Sequence, residues 1–378
     1  MLLKRLSGQL PPEIAQLLPR LELQNVRTTE NVLFTPPETL YNLFKKEVPR
    51  HQIDLLISQC LAFTAPKADT GDVALLQEES RGESRWWGFG IGNLDSLMGD
   101  WNGVGVLEIS GLKRVGKTLL ALHAVLRLLV GDEEASCRWL DTEGSFDSNR
   151  ARSILDAWGI EEPNNVLDRL QVTPCFNLEP DLVDALSDIQ RLLENPSRGS
   201  PRIKAVVIDP IMILFKDTLN NSSAQGHAAM ISTMEELAEL TYSYGLLSMV
   251  TNATSSSQPR NPQSSFGVTN IKPSLGAAFT FCSDVSLLVQ ETGRVFGYKD
   301  ITERERIRTG PGLRAVVEVL KSRVSPSLRW NVFETDGIRL ANVVAAPTQD
   351  QRTLDLSAGI PHGAVRPAMG PLAETMIP

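Results

Sequence analysis

The sequence predicts an α/β core built on a mostly parallel central sheet, with a small helical domain ahead of it. Three observations carry that expectation. Between about Trp86 and Ala345, short β-branched runs alternate with segments of helical periodicity, the pattern of βαβ units. Residues 1–62 instead place apolar side chains at helical spacing. A chain of 378 residues, 42% hydrophobic and 22% charged, has the composition of a globular protein and the length for two or three domains.

The elements follow in chain order. In "PPEIAQLLPRLEL" the prolines suit a helix N-terminus, and Ile14, Leu17 and Leu18 supply an apolar face. Thr35-Pro36-Pro37 opens a second helix over "ETLYNLFKKE", and Arg50 precedes a third over "HQIDLLISQCLAF". This unit holds seven basic residues (Lys4, Arg5, Arg20, Arg27, Lys45, Lys46 and Arg50) against six acidic ones, a balance expected of a solvated helical surface. Residues 63–88 are polar and rich in small residues, and are expected to form a linker with one apolar patch, Val73-Ala74-Leu75-Leu76.

In the core, 89–345, strands are expected at 104–110, 138–141, 169–172, 205–209 and 246–251, with helices near 118–130, 148–158, 182–193 and 227–244. The later runs 285–290, 313–320 and 328–334 follow without long helices, so antiparallel strands extending the sheet are expected there. The last stretch, 346–378, has prolines and glycines without apolar periodicity and reads as disordered.

Composition excludes several classes. Lys+Arg 37 against Asp+Glu 45 gives a net charge of −8, so any nucleic-acid contact must come from a local patch. No apolar run approaches the roughly 18 residues of a membrane span. The opening residues lack the apolar core and cleavage site of a secretory signal. Cys60, Cys137, Cys175 and Cys282 form no CxxC pair and read as reduced, mostly buried thiols of an intracellular chain. His51, His123, His227 and His362 show no metal-ligand spacing with them.

One motif carries chemistry directly. Gly111-Leu112-Lys113-Arg114-Val115-Gly116-Lys117-Thr118 fits G-x-x-x-x-G-K-[ST], between the strand "VGVLEIS" and the helix "KTLLALHAVLRLLV". Glycines let backbone N–H groups turn inward around phosphate oxygens, and the helix N-terminus adds its positive dipole end. Lys117 would neutralise the β- and γ-phosphates of a bound ATP, and Thr118 would ligate Mg²⁺. "LKRV" replaces the small residues usual inside such loops.

Two carboxylates complete the set. Asp209 ends the apolar run "KAVVID", where a strand-end carboxylate faces the same crevice and would hold the Mg²⁺ shell through water. Glu143, in "DTEGSF" at the end of the second strand, can reach a water in line with the γ-phosphate and act as base or positioning group.

"DTEGSF" followed by Arg150, after a phosphate loop, resembles the core of RecA-type strand-exchange recombinases. So does "GFGIGNLDSLMGDWNGVGVLEISG", with Gly92, Leu94, Asp95 and Gly103 in the family's pattern, and the likeness continues through "VVID", "SMVTN", "KPSLG" and "TDGI". The N-terminal unit is similar to the small domain of eukaryotic members, and "LAFTAPKADTGDVALL" looks most like the D-type paralogue. The resemblance implies a RecA-like P-loop ATPase in the nucleus that supports homologous recombination. It would work in a hetero-oligomer with other recombinase paralogues and the main recombinase, on single-stranded or branched DNA.

The chain also departs from the pattern. Filament-forming members carry a γ-phosphate-sensing Gln after "VTN"; here the position is Ala253, which cannot hydrogen-bond a phosphate. The two candidate DNA loops, 216–230 and 254–276, hold only Lys216, Arg260 and Lys272, so weak, salt-sensitive binding is expected. Phe266 is a candidate to stack on a base, although an ordinary loop aromatic explains it better. The resemblance suggests that Lys321 and Arg323 reach a neighbour's nucleotide, although an exposed basic strand end explains them nearly as well. The linker has no clear match to the phenylalanine-x-x-alanine segment used for polymerisation, and no long homofilament is expected. Two readings stay open: a slow DNA-dependent ATPase, and a nucleotide-gated scaffold with negligible hydrolysis. A RecA-core helicase or clock-type ATPase fits the N-terminal unit less well.

Overall fold

The computed structural model describes residues 3–8, 10–24, 26–44, 48–65, 70–72, 76, 88–197, 199–220, 224–296 and 312–343. Most of the expected linker 63–88 and all of the expected disordered tail 346–378 lie outside these residues.

The N-terminal unit is helical, with one difference in detail. The expected single helix over "PPEIAQLLPRLEL" is two, Pro12–Ala15 and Leu18–Leu23. Pro19 lacks an N–H and is tolerated only in a first turn, so the helix restarts ahead of it. A helix at Thr29–Phe34 had no periodic signal; its start is a capping box in which Thr28 Oγ1 accepts the Asn31 N–H and Asn31 Oδ1 accepts the Thr28 N–H. Helices Pro37–Leu43 and Arg50–Thr64 follow, and Leu3, Ile14, Leu21, Val32, Leu40, Ile53 and Leu56 bury a core of their own.

The larger unit is a nine-stranded sheet in the order β11-β10-β9-β8-β1-β5-β4-β2-β3. Its strands are β1 Gly105–Gly111, β2 Ala135–Asp141, β3 Leu170–Pro174, β4 Arg202–Asp209, β5 Leu247–Asn252, β8 Val285–Glu291, β9 Leu313–Ser322, β10 Trp330–Thr335 and β11 Leu340–Asn342; β6 Thr254–Ser256 and β7 Ile271–Pro273 form a separate hairpin. β1 is buried along its whole length, as a central strand covered on both faces must be. One face packs on the helices Lys117–Gly131 and Ser148–Ala157 through Leu107, Ile109, Trp139 and Met249; the other packs on Val183–Glu194 and Ala224–Tyr244 through Val106, Leu140, Val206 and Val250. The helix Lys117–Gly131 is apolar nearly all round because it is buried nearly all round.

One strand differs from expectation. β8 pairs parallel with β1 and antiparallel only with β9. A parallel pair needs a crossover of a dozen or more residues. Here it is supplied not by a long helix but by the β6–β7 hairpin and the short helix Gly276–Cys282. β9 and β10 are antiparallel, as expected.

Candidate functional site

The site lies along the C-terminal ends of β1, β5, β4 and β2, where a parallel sheet opens a crevice. Gly111 closes β1 and Lys117 opens the next helix. A Cβ at Gly111 would stand 2.6 Å from the Val289 carbonyl oxygen. Gly116 has a φ of +98°, with Phe333 3.3 Å from where its Cβ would be. Neither position accepts a side chain without strain. Arg114 also takes a left-handed conformation, at φ 66°, and is exposed to solvent.

The Lys117 ammonium curls under the loop, donating to the carbonyls of Gly111 at 3.0 Å and Leu112 at 2.7 Å. Burial pushes its pKa down, while the nearby Asp209 and Glu143 carboxylates pull the other way.

The carboxylates are brought in by register: Asp141 and Asp209 sit opposite each other on β2 and β4. Asp209 is buried and accepts hydrogen bonds from the hydroxyls of Thr251 and Thr118. Burial pushes its pKa up, against those two hydroxyls and Lys117. A threonine hydroxyl and a carboxylate side by side beneath a phosphate loop are the hard oxygen donors that Mg²⁺ takes.

Asp141 shapes the loop that carries Glu143. Its carboxylate accepts the N–H groups of Glu143 at 3.2 Å, Ser145 at 3.1 Å and Phe146 at 2.8 Å. Phe146 anchors the far side of the loop edge-on against Trp139, with ring centroids 5.2 Å apart. Thr142 Oγ1 donates to the Pro210 carbonyl at 2.7 Å, tying this loop to the end of β4. Glu143 itself is exposed, its carboxylate 4.0 Å from the Lys113 ammonium. Thus Lys113, Glu143, Lys117, Thr118 and Asp209 share one end of the sheet.

Beside the loop is a cleft of about 380 Å³, lined by Arg114, Lys117, Thr118, Arg150, Leu313 and the turn Thr335-Asp336-Gly337. Arg150 and "TDGI" carried no role in the sequence reading beyond likeness. Asp141 and Thr251 were missed as organising residues. The signal for Thr251 is slight: a small polar residue one position before the end of β5.

Other expected residues sit differently. The candidate DNA loop 216–230 is mostly helix, Met212–Asn220 and Ala224–Tyr244, leaving 221–223 outside the described residues. The second loop, 254–276, is fastened down. Glu318 accepts from Ser264 Oγ at 2.7 Å and Ser265 Oγ at 2.6 Å, and the Ala253 carbonyl accepts the Ser274 N–H at 2.9 Å. Phe266 lies in a trio with Phe296 and Trp330, centroids 5.6 and 5.1 Å away, so a packing role replaces base stacking. Lys321 donates to the carbonyls of Thr280, Phe281 and Ser283, capping the helix Gly276–Cys282, and Arg323 pairs with Asp284 at 2.7 Å. Both cations are engaged within the chain. Cys60, Cys137 and Cys175 are buried, and Cys282 is half-buried.

Comparison with known proteins agrees with this architecture. The chain is 26% identical over 266 residues to the DNA repair protein RAD51 homolog 4 of Bos taurus, across 68% of this chain and 76% of that protein. It is 29% identical over 174 residues to the DNA repair protein RAD51 of Saccharomyces cerevisiae, across 43% of this chain and 41% of that one. In structure it resembles the RadB recombinase, with a TM-score of 0.50 and 20% identity over 68% of this chain and 100% of that one, a likeness of fold. The sequence model of the Rad51 family matches residues 88–302, more than half of the chain and all of the phosphate-loop edge, and the chain therefore belongs to the Rad51 family.

Proposed function

We propose that the chain is an ATP-binding, ATP-hydrolysing recombinase paralogue. In this reading it supports homologous recombination and double-strand break repair in the nucleus, within a hetero-oligomer of other paralogues and the main recombinase. The observation that carries the reading is the convergence of Lys117, Thr118, Asp209 and Glu143 on one phosphate loop.

Each residue has a role in that reading. The backbone N–H groups of 111–118 cradle phosphates, and Lys117 leaves its loop carbonyls to neutralise them. Thr118 and Asp209 would hold Mg²⁺, which supplies charge neutralisation at the β- and γ-oxygens. Glu143, placed by Asp141, accepts the proton of an attacking water. The cleft walled by Arg150, Leu313 and the 335–337 turn receives the nucleoside. In the same reading 1–62 is a small helical domain, 63–88 a linker and 89–345 the ATPase core. Among the described residues no helix is long and apolar enough to cross a membrane.

The scaffold reading keeps one supporting observation. Ala253 offers no side-chain contact to a phosphate, and the 254–276 loop is held by Glu318 and the aromatic trio instead, which favours weak coupling between nucleotide and DNA. Lys117→Ala tests the shared premise. Nucleotide affinity, read with a fluorescent ATP analogue, should fall by about a hundredfold or more as the cation and its phosphate contacts vanish together. Unaltered binding would remove the phosphate-loop reading.

A further inference from the structure

The turn that walls the cleft opposite the phosphate loop joins β10 to β11, and a buried side chain that the proposed chemistry does not use ties it to the phosphate-loop helix. Thr335, Asp336 and Gly337 line the cleft. The turn is braced internally: Asp336 Oδ1 accepts the N–H groups of Ile338 at 2.9 Å and Arg339 at 2.7 Å, and Thr335 Oγ1 accepts that of Gly337 at 2.9 Å. Across the gap, the Ile338 carbonyl lies 2.8 Å from His123 Nε2.

His123 stands on the helix Lys117–Gly131, whose first turn supplies Lys117, Thr118 and Leu119 to the same cleft. Its ring is 2% exposed and meets Trp158 edge-on at 5.3 Å. The Arg127 guanidinium covers the Trp158 ring at 4.8 Å and is itself seated against Gly90, where a Cβ would come within 2.0 Å of it. Burial, with Arg127 nearby, pushes the imidazole pKa down to about 4, so the ring is neutral at pH 7. A carbonyl only accepts, so Nε2 carries the proton.

We propose that His123 is a positioning residue: it holds the 335–338 turn against the phosphate-loop helix and thereby sets the grip of the cleft on the nucleoside part of the nucleotide. The inference rests on the nucleotide reading above. Loop and turn are the two walls of the cleft, and both take their position from one helix. A ligand that needs only the loop does not sense the turn; a ligand that fills the cleft binds in proportion to the fraction of molecules whose turn is seated. Without the imidazole donor, the Ile338 carbonyl loses its side-chain partner, and the seated turn should fall to about a tenth to a third of the molecules.

The test compares a fluorescent ATP analogue with inorganic tripolyphosphate as its competitor, on the full chain. His123→Phe keeps a ring against Trp158 and loses the donor; His123→Gln keeps a donor at similar reach. The phenylalanine variant should bind ATP about three- to tenfold more weakly with tripolyphosphate affinity held within about twofold, and the glutamine variant should stay near the unsubstituted protein for both. If the phenylalanine variant does not fold, His123→Asn, whose amide is too short to reach Ile338, carries the same expectation. Unchanged ATP affinity, equal loss for tripolyphosphate, or no rescue by glutamine would each overturn the proposal. Failure of the unsubstituted protein to bind either ligand would instead overturn the nucleotide reading beneath it.

Discussion

Asp141 offers the sharpest single perturbation, because one side chain organises the whole loop that carries Glu143. Asp141→Ala removes the acceptor for three backbone N–H groups, at 3.2, 3.1 and 2.8 Å. The donors are not equivalent. Glu143 and Ser145 are exposed, so water replaces the carboxylate there at small cost. Phe146 is half-buried against Trp139, and its N–H makes the shortest of the three bonds. Hydrogen bonds to charged groups contribute roughly 1.5–3 kcal/mol each when the partner is left without water. Counting one full bond and residues of two others gives a loss of about 2–3 kcal/mol. At a urea m-value on the order of 3 kcal/mol/M, that lowers the midpoint by about 0.7–1 M. The released loop also misplaces Glu143, so ATP turnover should fall by about tenfold or more while binding through Lys117 persists. Urea titration by tryptophan fluorescence, alongside phosphate-release kinetics, measures both effects. A variant with an unshifted midpoint and normal turnover would refute the assignment of Asp141 as the organiser of the loop that carries Glu143.

Three further outcomes are expected. Glu143→Gln keeps the shape of the side chain and loses the base, so turnover should drop by about a hundredfold or more while ATP affinity holds; equal turnover by both forms removes Glu143 as the catalytic group. If Lys216, Arg260 and Lys272 each neutralise one phosphate of single-stranded DNA, log affinity against log salt should have a slope of about −2, and a much steeper slope would mean that the contact surface lies elsewhere. The His123 pKa is lowered in the fold from 6.5 to about 4, so between those values the unfolded chain binds more protons and stability falls as pH falls. On the order of 3 kcal/mol should be lost across that window, facing Arg127 and Asp336 as the nearby charges, and His123→Gln should flatten that part of the pH profile.

The sequence by itself was enough for the alternation of strands and helices, the glycine-framed loop between β1 and the helix after it, and the placing of Asp209 at the end of β4 and Glu143 just beyond β2. These are local signals: period, glycine spacing and a charge ending an apolar run are all readable within a few residues. Pro19 and the Thr28–Asn31 capping box are equally local, but they are single-residue punctuation that hydrophobic periodicity does not register. Tertiary structure alone decided the rest. β8 became parallel to β1 because a hairpin and a short helix together span the crossover, which no single segment announces. Phe266 became a half-buried packing residue rather than a base-stacking group because Phe296 and Trp330, distant in sequence, pack against it. Lys321 and Arg323 became a helix cap and an ion pair because β9 delivers them beside Ser283 and Asp284. The cleft wall at 335–338 and its tether at His123 are separated by some two hundred residues of chain, and only the fold makes them neighbours. Contacts of that range depend on register and packing across the sheet, and those are fixed only when the whole core assembles.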